Sequence, residues 1–202
     1  MAARAAGSAG TASWGWAIYN AASALRRRLH EEFGGIVPAA GLSASGTFET
    51  NPEAQQYAMH AFGAQFAEVR VHVDTGEVRV PRLLGVFAAG CIVNPKTARS
   101  QLLGGMTMGL SMALHEESVL DPRFGDYVNH DFAEYHIATN ADVGEIDVTW
   151  IEEDDPHVNP MGTKGIGEIG IVGTAAAIAN AVYHATGIRV RDLPITLDKL
   201  LP

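Results

Sequence analysis

The segment at residues 164–182, KGIGEIGIVGTAAAIANAV, constrains the fold of this chain more than any other. Glycine costs stability inside helices, so the four glycines up to Gly173 indicate a loop in which the backbone approaches another group closely. The run that follows is apolar and rich in alanine, which predicts a helix from about Thr174 to Ala185. The segment therefore predicts a glycine loop that leads directly into a packed helix.

Gly165, Gly167 and Gly170 also match G-x-G-x-x-G, the fingerprint of dinucleotide-binding folds. That motif works when a buried parallel strand runs into the loop. The residues before it here, EEDDPHVNPMGTK, are acidic and contain two prolines, and Glu168 would repel a phosphate. Asp192 stands near the distance expected for the ribose-binding acid, but too few residues follow it for the rest of such a sheet. A dinucleotide-binding module is therefore a disfavoured alternative.

The composition indicates a soluble globular protein. A chain of 202 residues with 47% hydrophobic and 18% charged residues can bury a core as one domain or two small lobes. The net charge of −9 disfavours nucleic acid or an anionic membrane surface as the main partner. No 18 consecutive residues are all apolar, so we predict no membrane span.

The chain is poor in patterns typical of metal ligands. Cys91 is the only cysteine, which excludes an internal disulfide, a four-thiolate zinc site and a cysteine-ligated iron–sulfur cluster within this chain. His115 is followed by two glutamates, but no second histidine stands at the H-E-x-x-H spacing. We therefore assign no metal ligand to the protein side chains.

The remaining patterns predict helices and a hairpin. Residues 1–13 are expected to be a loop, and a helix is expected from Trp14 to Phe33 with Ser13 as its N-cap. Residues 66–80 alternate apolar and polar side chains around a DTG turn, which predicts an antiparallel hairpin. A long helix over 97–118 and a strand over 145–153 follow. Because β-α-β units are absent from this order, the predicted class is α+β.

Glu168 and Gln101 are the polar residues with the most informative surroundings. Glu168 lies between two glycines, where it is either a loop acid favoured by the following helix dipole or a carboxylate aimed at a bulky ligand. Gln101 precedes Gly104, Gly105 and Gly109 in the long helix. Ordinary helix packing with a satisfied surface amide is the favoured interpretation there, and an anion or cofactor contact is the alternative.

Taken together, several segments resemble one family. They are GTAS at 10–13, GTFETNPEAQQYAMHAFGAQFAEVRVHVDTGEVRV, NPKTARSQLLGGMTMGLSMALHEE and GTKGIGEIGIVGTAAAIANAVYHATGIRVRDLPIT. They resemble the large, molybdopterin-binding subunit of the xanthine dehydrogenase/aldehyde oxidase family of molybdenum hydroxylases, in its bacterial aldehyde oxidoreductase type. The resemblance extends over essentially all of residues 1–202 and corresponds to the C-terminal part of that subunit.

The resemblance implies the fold and the cofactor. It implies an α+β, molybdenum-cofactor-binding lobe with antiparallel hairpins and packed helices, spanning residues 1–202. The metal would be bound through the dithiolene of a molybdenum-pterin dinucleotide and not through protein ligands. The implied partners are the remaining, N-terminal part of the large subunit, an iron–sulfur subunit and a flavin subunit that carries FAD.

The resemblance also implies a reaction. The acid that matches Glu168 would be the general base, which takes a proton from a molybdenum-bound hydroxyl. That hydroxyl would attack an aldehyde carbonyl or the carbon beside a ring nitrogen, with water as the source of oxygen. Electrons would leave through the partners' iron–sulfur clusters and flavin. We expect the Glu168 carboxylate to be buried in a dry cofactor pocket.

The same resemblance assigns the cofactor contacts. Gly10, Thr11, Ala12 and Ser13 match a loop along the pterin, where small residues allow close approach. Gln101 matches a glutamine that contacts the cofactor. Two glycines that flank the base complete the predicted cofactor-binding set, Gly165 and Gly167. All of these residues are expected to converge on one cleft.

The resemblance leaves other questions open. We expect the chain to be a fragment that is inactive by itself and that exposes an apolar patch where the rest of its subunit would lie. A non-catalytic truncated or split-gene remnant and a general interaction domain are the alternatives. The choice between an aldehyde and an N-heterocycle stays open, as does the choice between the cytoplasm and, through export with a partner, the periplasm.

Overall fold

The computed structural model describes residues 5–201, which form two compact units. The first unit contains the described residues up to Ala61 together with two later segments, Ala88–Asn94 and Ile151–Ile166. The second unit contains Phe62–Phe87, Pro95–Trp150 and the described residues from Gly167 onward.

The first unit is built around helix α1, Gly10–Phe33. The helix begins earlier than predicted, and the expected N-cap role of Ser13 is wrong: its N–H bonds to the carbonyl of Ala9 at 2.8 Å inside the first turn. The alanines around this start favour helix over loop. The predicted end is confirmed, since Gly34 is left-handed at φ 59° and the next N–H returns to the carbonyl of Leu29 at 2.9 Å.

The segment after α1 packs against the helix without regular structure of its own. Gly46 lies so close to the backbone of Ala17 and Ala21 that a side chain would overlap it. Trp16 is buried and meets the ring of Phe48 edge-on, with 5.7 Å between ring centroids. These contacts hold the 34–61 segment on the helix surface.

The second unit contains the strands. They are β1 Phe62–Val71, β2 Val78–Ala88, β3 Leu120–Asp121, β4 Asp126–Tyr127 and β5 Glu145–Ile151. The order β1-β2-β5 forms one sheet, and β3 and β4 form a separate antiparallel pair. The connection between β1 and β2 is a tight turn, closed by a 2.9 Å bond from the N–H of His72 to the carbonyl of Glu77, so these strands are antiparallel. The predicted hairpin and the predicted strand at 145–153 are therefore confirmed.

Three α-helices and one short 3₁₀ helix, Leu197–Lys199, complete the described part of the second unit. The α-helices are α2 Pro95–Leu114, α3 Ile169–Val172 and α4 Thr174–Thr186. Helix α4 packs mainly on β1 and α2. The apolar core between these elements is made by Leu83, Phe87, Leu102, Met106, Leu110, Ile178 and Val182. The predicted α+β class is confirmed, and so are the predicted long helix and the helix after the glycine loop.

No parallel strand runs into Gly165 within residues 5–201. Thr163 forms an isolated antiparallel bridge with Gly90, and the residues between β5 and α3 otherwise lack strand structure. The dinucleotide-binding alternative requires a parallel strand at this position. The fold therefore counts against that alternative.

The stretch Ile169–Thr186 is long and apolar enough to cross a membrane by length and composition alone. It is not one helix, since Gly173 separates α3 from α4. Thr174, Ile178 and Val182 are fully or almost fully buried on the face of α4 that packs on β1 and α2. This arrangement is typical of a core helix.

Large apolar side chains are exposed in both units. Examples are Ile18 and Trp14 in the first unit and Val172, Met108 and Phe66 in the second. Single exposed apolar side chains are normal. A contiguous apolar patch stays a prediction.

Candidate functional site

Glu168 occupies the position immediately before α3. Its side chain is exposed, and its carboxylate has no hydrogen bond or ion pair among the residues that the structure describes. The second unit therefore does not by itself bury this group in a dry pocket. It presents a free carboxylate at the end of the glycine loop.

The loop is held beside Glu168 by a side chain from α2. The amide Nε2 of Gln101 donates to the carbonyl of Gly167 at 3.0 Å. This bond fixes the peptide that leads into Glu168. The sequence predicted a surface amide or a cofactor contact for Gln101, and the structure adds a third role, which is to support the loop. The cofactor contact stays a prediction.

The glycines of α2 have different surroundings. A Cβ on Gly105 would lie 2.9 Å from the Cα of Gly170, and a Cβ on Gly109 would lie 2.5 Å from the Cβ of Thr174. A Cβ on Gly104 would meet nothing within 4 Å. Two of the three glycines therefore allow α2 to pack closely on α3 and α4. The third lies one turn from Gln101 and leaves the exposed helix surface there flat.

A second glutamine, missed in the sequence, supports the other side of Glu168. Gln65 in β1 donates from Nε2 to the carbonyls of Ile169 and Gly170, at 3.3 and 2.9 Å. In the sequence Gln65 is one polar residue in an alternating strand, a pattern typical of a solvent-facing position. Only its contact across more than a hundred residues reveals its role, and no local signal carried that information.

The residues before Gly165 are held in the first unit by charges. The Nζ of Lys164 lies 2.6 Å from Glu153 and 2.9 Å from Asp155, and only 5% of the Lys164 side chain is exposed. Glu153 also accepts the N–H of Gly90 at 2.9 Å. The N–H of Lys164 donates to the carbonyl of Ala89 at 3.1 Å. The approach to the loop is therefore tied to the 88–94 segment.

This cluster changes the pKa of each member. The hydrogen bond from Lys164 lowers the pKa of Glu153 and of Asp155, against the opposing effect of burial. Burial by itself lowers the pKa of Lys164, but the hydrogen bonds to both carboxylates and their negative charges together outweigh burial and leave that pKa raised. All three groups are therefore kept charged near neutral pH.

The predicted pterin segment, Gly10–Ser13, forms the first turn of α1 and is not a loop. The residue before this helix, Ala9, provides no side-chain cap. Gly165 lies against the turn just before this helix, because a Cβ on Gly165 would be 3.0 Å from the Cβ of Ser8. Ser8 itself is left-handed at φ 61°, an unusual conformation for a residue with a side chain.

The predicted site residues thus form two groups. The first unit brings Gly165 to the start of α1, which carries Gly10–Ser13, and the second brings together Gln101, Gly167 and Glu168. Their convergence on one cleft stays a prediction. Within residues 5–201, no group of three or more histidine, cysteine, aspartate or glutamate side chains could hold a metal ion.

Comparison with known proteins identifies relatives of this arrangement. The model of the molybdopterin cofactor-binding domain family matches residues 35–144. The aldehyde oxidoreductase molybdenum-binding subunit PaoC of Escherichia coli (strain K12) is 52% identical over 173 residues, which cover 86% of this chain and 23% of PaoC. The putative xanthine dehydrogenase molybdenum-binding subunit XdhA of the same strain is 36% identical over 140 residues, covering 69% of this chain and 18% of XdhA.

A solved structure agrees. The aldehyde oxidoreductase from Desulfovibrio desulfuricans ATCC 27774 superposes with a TM-score of 0.85 at 27% identity, covering 99% of this chain and 23% of that protein. The chain therefore spans about a quarter or less of the length of these relatives. It belongs to the molybdopterin cofactor-binding domain family found in the molybdenum-binding subunits of aldehyde oxidoreductases and xanthine dehydrogenases.

Proposed function

We propose that this chain supplies the general base, Glu168, and part of the cofactor-binding surface of a molybdenum hydroxylase. The reaction is oxidation of an aldehyde to a carboxylic acid, with hydroxylation of an N-heterocycle as the second candidate. The relative PaoC is the molybdenum-binding subunit of an aldehyde oxidoreductase and is more similar to this chain than XdhA is, so we put the aldehyde first.

The observation that carries the proposal is the state of Glu168. Its carboxylate is exposed and free of partners among the described residues, while the preceding peptide is held by Gln101. An exposed carboxylate without a partner adds little to the stability of the fold. A free acceptor on a supported backbone instead suits proton transfer to a bound reactant.

The residues present fit a molybdopterin cofactor. Gly104 leaves open space on the exposed surface of α2, next to Gln101. The start of α1 has no side-chain cap, and the N-terminus of a helix favours a phosphate or another anionic group. A cofactor that brings its own sulfur ligands requires no metal-binding cluster of side chains. Gln101 and Gly104, in the second unit, are therefore proposed to contact it, and contact by the first turn of α1 is a separate proposal.

The overall reaction converts an aldehyde and water into a carboxylic acid, two electrons and two protons. When bound, the molybdenum cofactor would supply the two-electron acceptor for this oxidation. In the proposed mechanism, an oxygen of the Glu168 carboxylate accepts a proton from the attacking hydroxyl group as the new carbon–oxygen bond forms. Glu168 has to release that proton before the next turnover.

Electron transfer and closure of the site are assigned to polypeptide outside these 202 residues. The electrons are proposed to leave through iron–sulfur clusters and FAD on partner subunits. The remainder of the large subunit is proposed to cover Glu168, exclude water and orient the substrate. On this basis the 202-residue chain is inactive by itself. A non-catalytic remnant remains the alternative, and it predicts that no assembly containing this chain depends on Glu168.

The test is substitution of Glu168 in the assembled enzyme that contains this chain. Glu168→Gln keeps the size of the side chain but removes the basic oxygen, so aldehyde oxidation per bound molybdenum should fall by about 10²–10⁴-fold. Glu168→Asp keeps a shortened carboxylate and should retain part of the activity. Glu117→Gln is the matched control, since Glu117 is another exposed glutamate of the second unit.

The molybdenum content of each variant separates the outcomes. The proposal predicts normal molybdenum content in Glu168→Gln, because no metal ligand is lost. Activity equal to that of Glu117→Gln at equal molybdenum content would remove Glu168 from the mechanism.

A further inference from the structure

The helical stretch after Glu168 is broken at one residue, Gly173. In an uninterrupted helix, the carbonyls of Ile169 and Gly170 would accept the N–H groups of Gly173 and Thr174. Here both carbonyls accept from Nε2 of Gln65, at 3.3 and 2.9 Å. A side chain inserted into the hydrogen-bond ladder is a recognised cause of helix breaks. Gln65 therefore bonds to the backbone at the break between α3 and α4.

Two neighbours surround the Gln65 amide. The hydroxyl of Thr174, which is fully buried, lies 2.9 Å from Oε1 of Gln65 and 2.9 Å from the carbonyl oxygen of Gly170, and it can donate its one proton to either. The Nε2 of Gln65 faces the carbonyls of Ile169 and Gly170. A Cβ on Gly173 would lie 2.9 Å from the same Oε1, so the glycine leaves room for the amide. Glutamine, glycine and threonine together specify the break.

We infer that Gln65 is a positioning residue for the proposed base Glu168, an inference that rests on the proposed function. Gln101 holds the carbonyl of the residue before Glu168, and Gln65 holds the carbonyls of the two residues after it. The two glutamines come from different elements, α2 and β1. Glu168 therefore lies between two backbone sites that side-chain amides fix in space.

This arrangement has a direct consequence for proton transfer. A general base acts only when its oxygen is within hydrogen-bond reach of the proton that it accepts. The exposed carboxylate of Glu168 has no partner of its own among the described residues, so its position depends on its backbone. Without Gln65, the carbonyl of Ile169 loses this side-chain donor and the carbonyl of Gly170 keeps the hydroxyl of Thr174, so α3 is held less firmly on β1. The position of Glu168, immediately before α3, is then less fixed.

The test uses the molybdenum-loaded enzyme that contains this chain, with Gln65→Met as the main variant. Methionine keeps the unbranched length of the side chain but removes its hydrogen bonds. A displacement of about 1 Å can cost 10²-fold in rate, so we expect kcat per molybdenum to fall by about 10- to 100-fold. KM should change by no more than about threefold, because positioning the base affects the chemical step. Gln55→Met is the control, since Gln55 is exposed in the first unit and makes no side-chain hydrogen bond with a described residue.

A second readout does not depend on catalysis. Amide hydrogen exchange at residues 167–172 should become faster or redistribute in Gln65→Met and stay unchanged in Gln55→Met. Unchanged exchange at these residues would overturn the inference. Unchanged kcat per molybdenum would also overturn it and leave Gln65 with a purely structural role.

The double variant Gln65→Met/Glu168→Gln separates this inference from the proposed function. If Gln65 acts through Glu168, adding Gln65→Met to Glu168→Gln should cost no more than about twofold further. A further loss as large as that in the single Gln65→Met variant would overturn the inference alone. Full activity of the single Glu168→Gln variant would instead remove the proposed function.

Discussion

The two flanks of Glu168 are held by different chemistry. Before the loop, in the first unit, the buried ammonium of Lys164 pairs with two carboxylates. After the loop, in the second unit, Gln65 bonds to backbone carbonyls and glycines allow backbone to contact backbone. The first flank depends on charge and therefore on pH, whereas the second depends on shape and on neutral hydrogen bonds. A perturbation that destabilises one flank should therefore leave the contacts of the other flank intact.

The largest expected effect comes from removing the cation of the first flank. Lys164→Met leaves Glu153 and Asp155 without their shared partner, and breaking a buried ion pair in this way costs on the order of 3–5 kcal/mol. Chemical denaturation measures the loss. Arg70→Met is the control, because Arg70 is 76% exposed and lies 3.8 Å from Glu68, a type of pair worth about 0–1 kcal/mol. Equal losses in the two variants would contradict the assigned role of Lys164.

A smaller effect is expected from overfilling the second flank. Gly105→Ala places a methyl group 2.9 Å from the backbone of Gly170, and overpacking of this kind costs about 1–3 kcal/mol. Gly104→Ala, one residue earlier in α2, meets nothing within 4 Å and should stabilise the helix by up to about 1 kcal/mol. The two variants are compared by thermal unfolding. A change of the same sign in the unfolding temperature of both variants would refute the proposed backbone contact.

The third prediction concerns the stability of the first flank at low pH. The pKa values of Glu153 and Asp155 are lowered in the folded state, first by hydrogen bonds from Lys164. Their stabilising contribution is therefore complete above their unfolded pKa values, and it is lost as the pH falls below about 4 through the lower folded values. The raised pKa of Lys164 keeps its contribution intact until strongly alkaline pH.

Hydrogen exchange at two pH values checks this difference. After correction for the intrinsic rate, acid should reduce the protection of the N–H groups of Lys164 and Cys91, which bond to Ala89 and Gly162. The protection of α3 and α4 should change less, because Gln65 and Thr174 do not titrate in this range. Equal loss of protection on both flanks would contradict the comparison.

The smallest effect on stability is expected from Gln101→Leu. This change removes one exposed hydrogen bond, from Nε2 to the carbonyl of Gly167, so the free energy of unfolding should fall by about 0.5–1.5 kcal/mol. Gln55→Leu, at an exposed position without a side-chain hydrogen bond to any described residue, should change it by less than about 0.5 kcal/mol. A decrease in the free energy of unfolding larger than that of Gly105→Ala would show that Gln101 has further contacts in the folded chain.

Local patterns in the sequence predicted most of the secondary structure. Alternation around DTG indicated the hairpin, and the alanine-rich run indicated α4. The same kind of pattern failed at the start of α1, where glycine and serine suggested a loop while the alanines around them favoured helix. The wrong N-cap at Ser13 follows from that misjudged boundary.

The support of the site was harder to predict. Glu168, Gly165 and Gly167 stand out through their spacing, and a family resemblance added Gln101. Gln65 could not be found in this way, because its partners lie 104 and 105 residues away and strand periodicity alone does not indicate them. The expected burial of Glu168 also did not follow from its own segment. Burial depends on which polypeptide covers the loop, and the described chain leaves the carboxylate exposed.

The most direct test of the central claim is the rate at which an aldehyde reduces the metal in a single turnover. Rapid mixing of the molybdenum-loaded enzyme with substrate isolates this step from electron transfer to the partner subunits. With Glu168→Gln at normal molybdenum content, the account predicts reduction about 10²–10⁴-fold slower than in the unmodified enzyme. Equal rates at equal molybdenum content, or a loss of activity that only follows a loss of molybdenum, would contradict the role of Glu168 as the base.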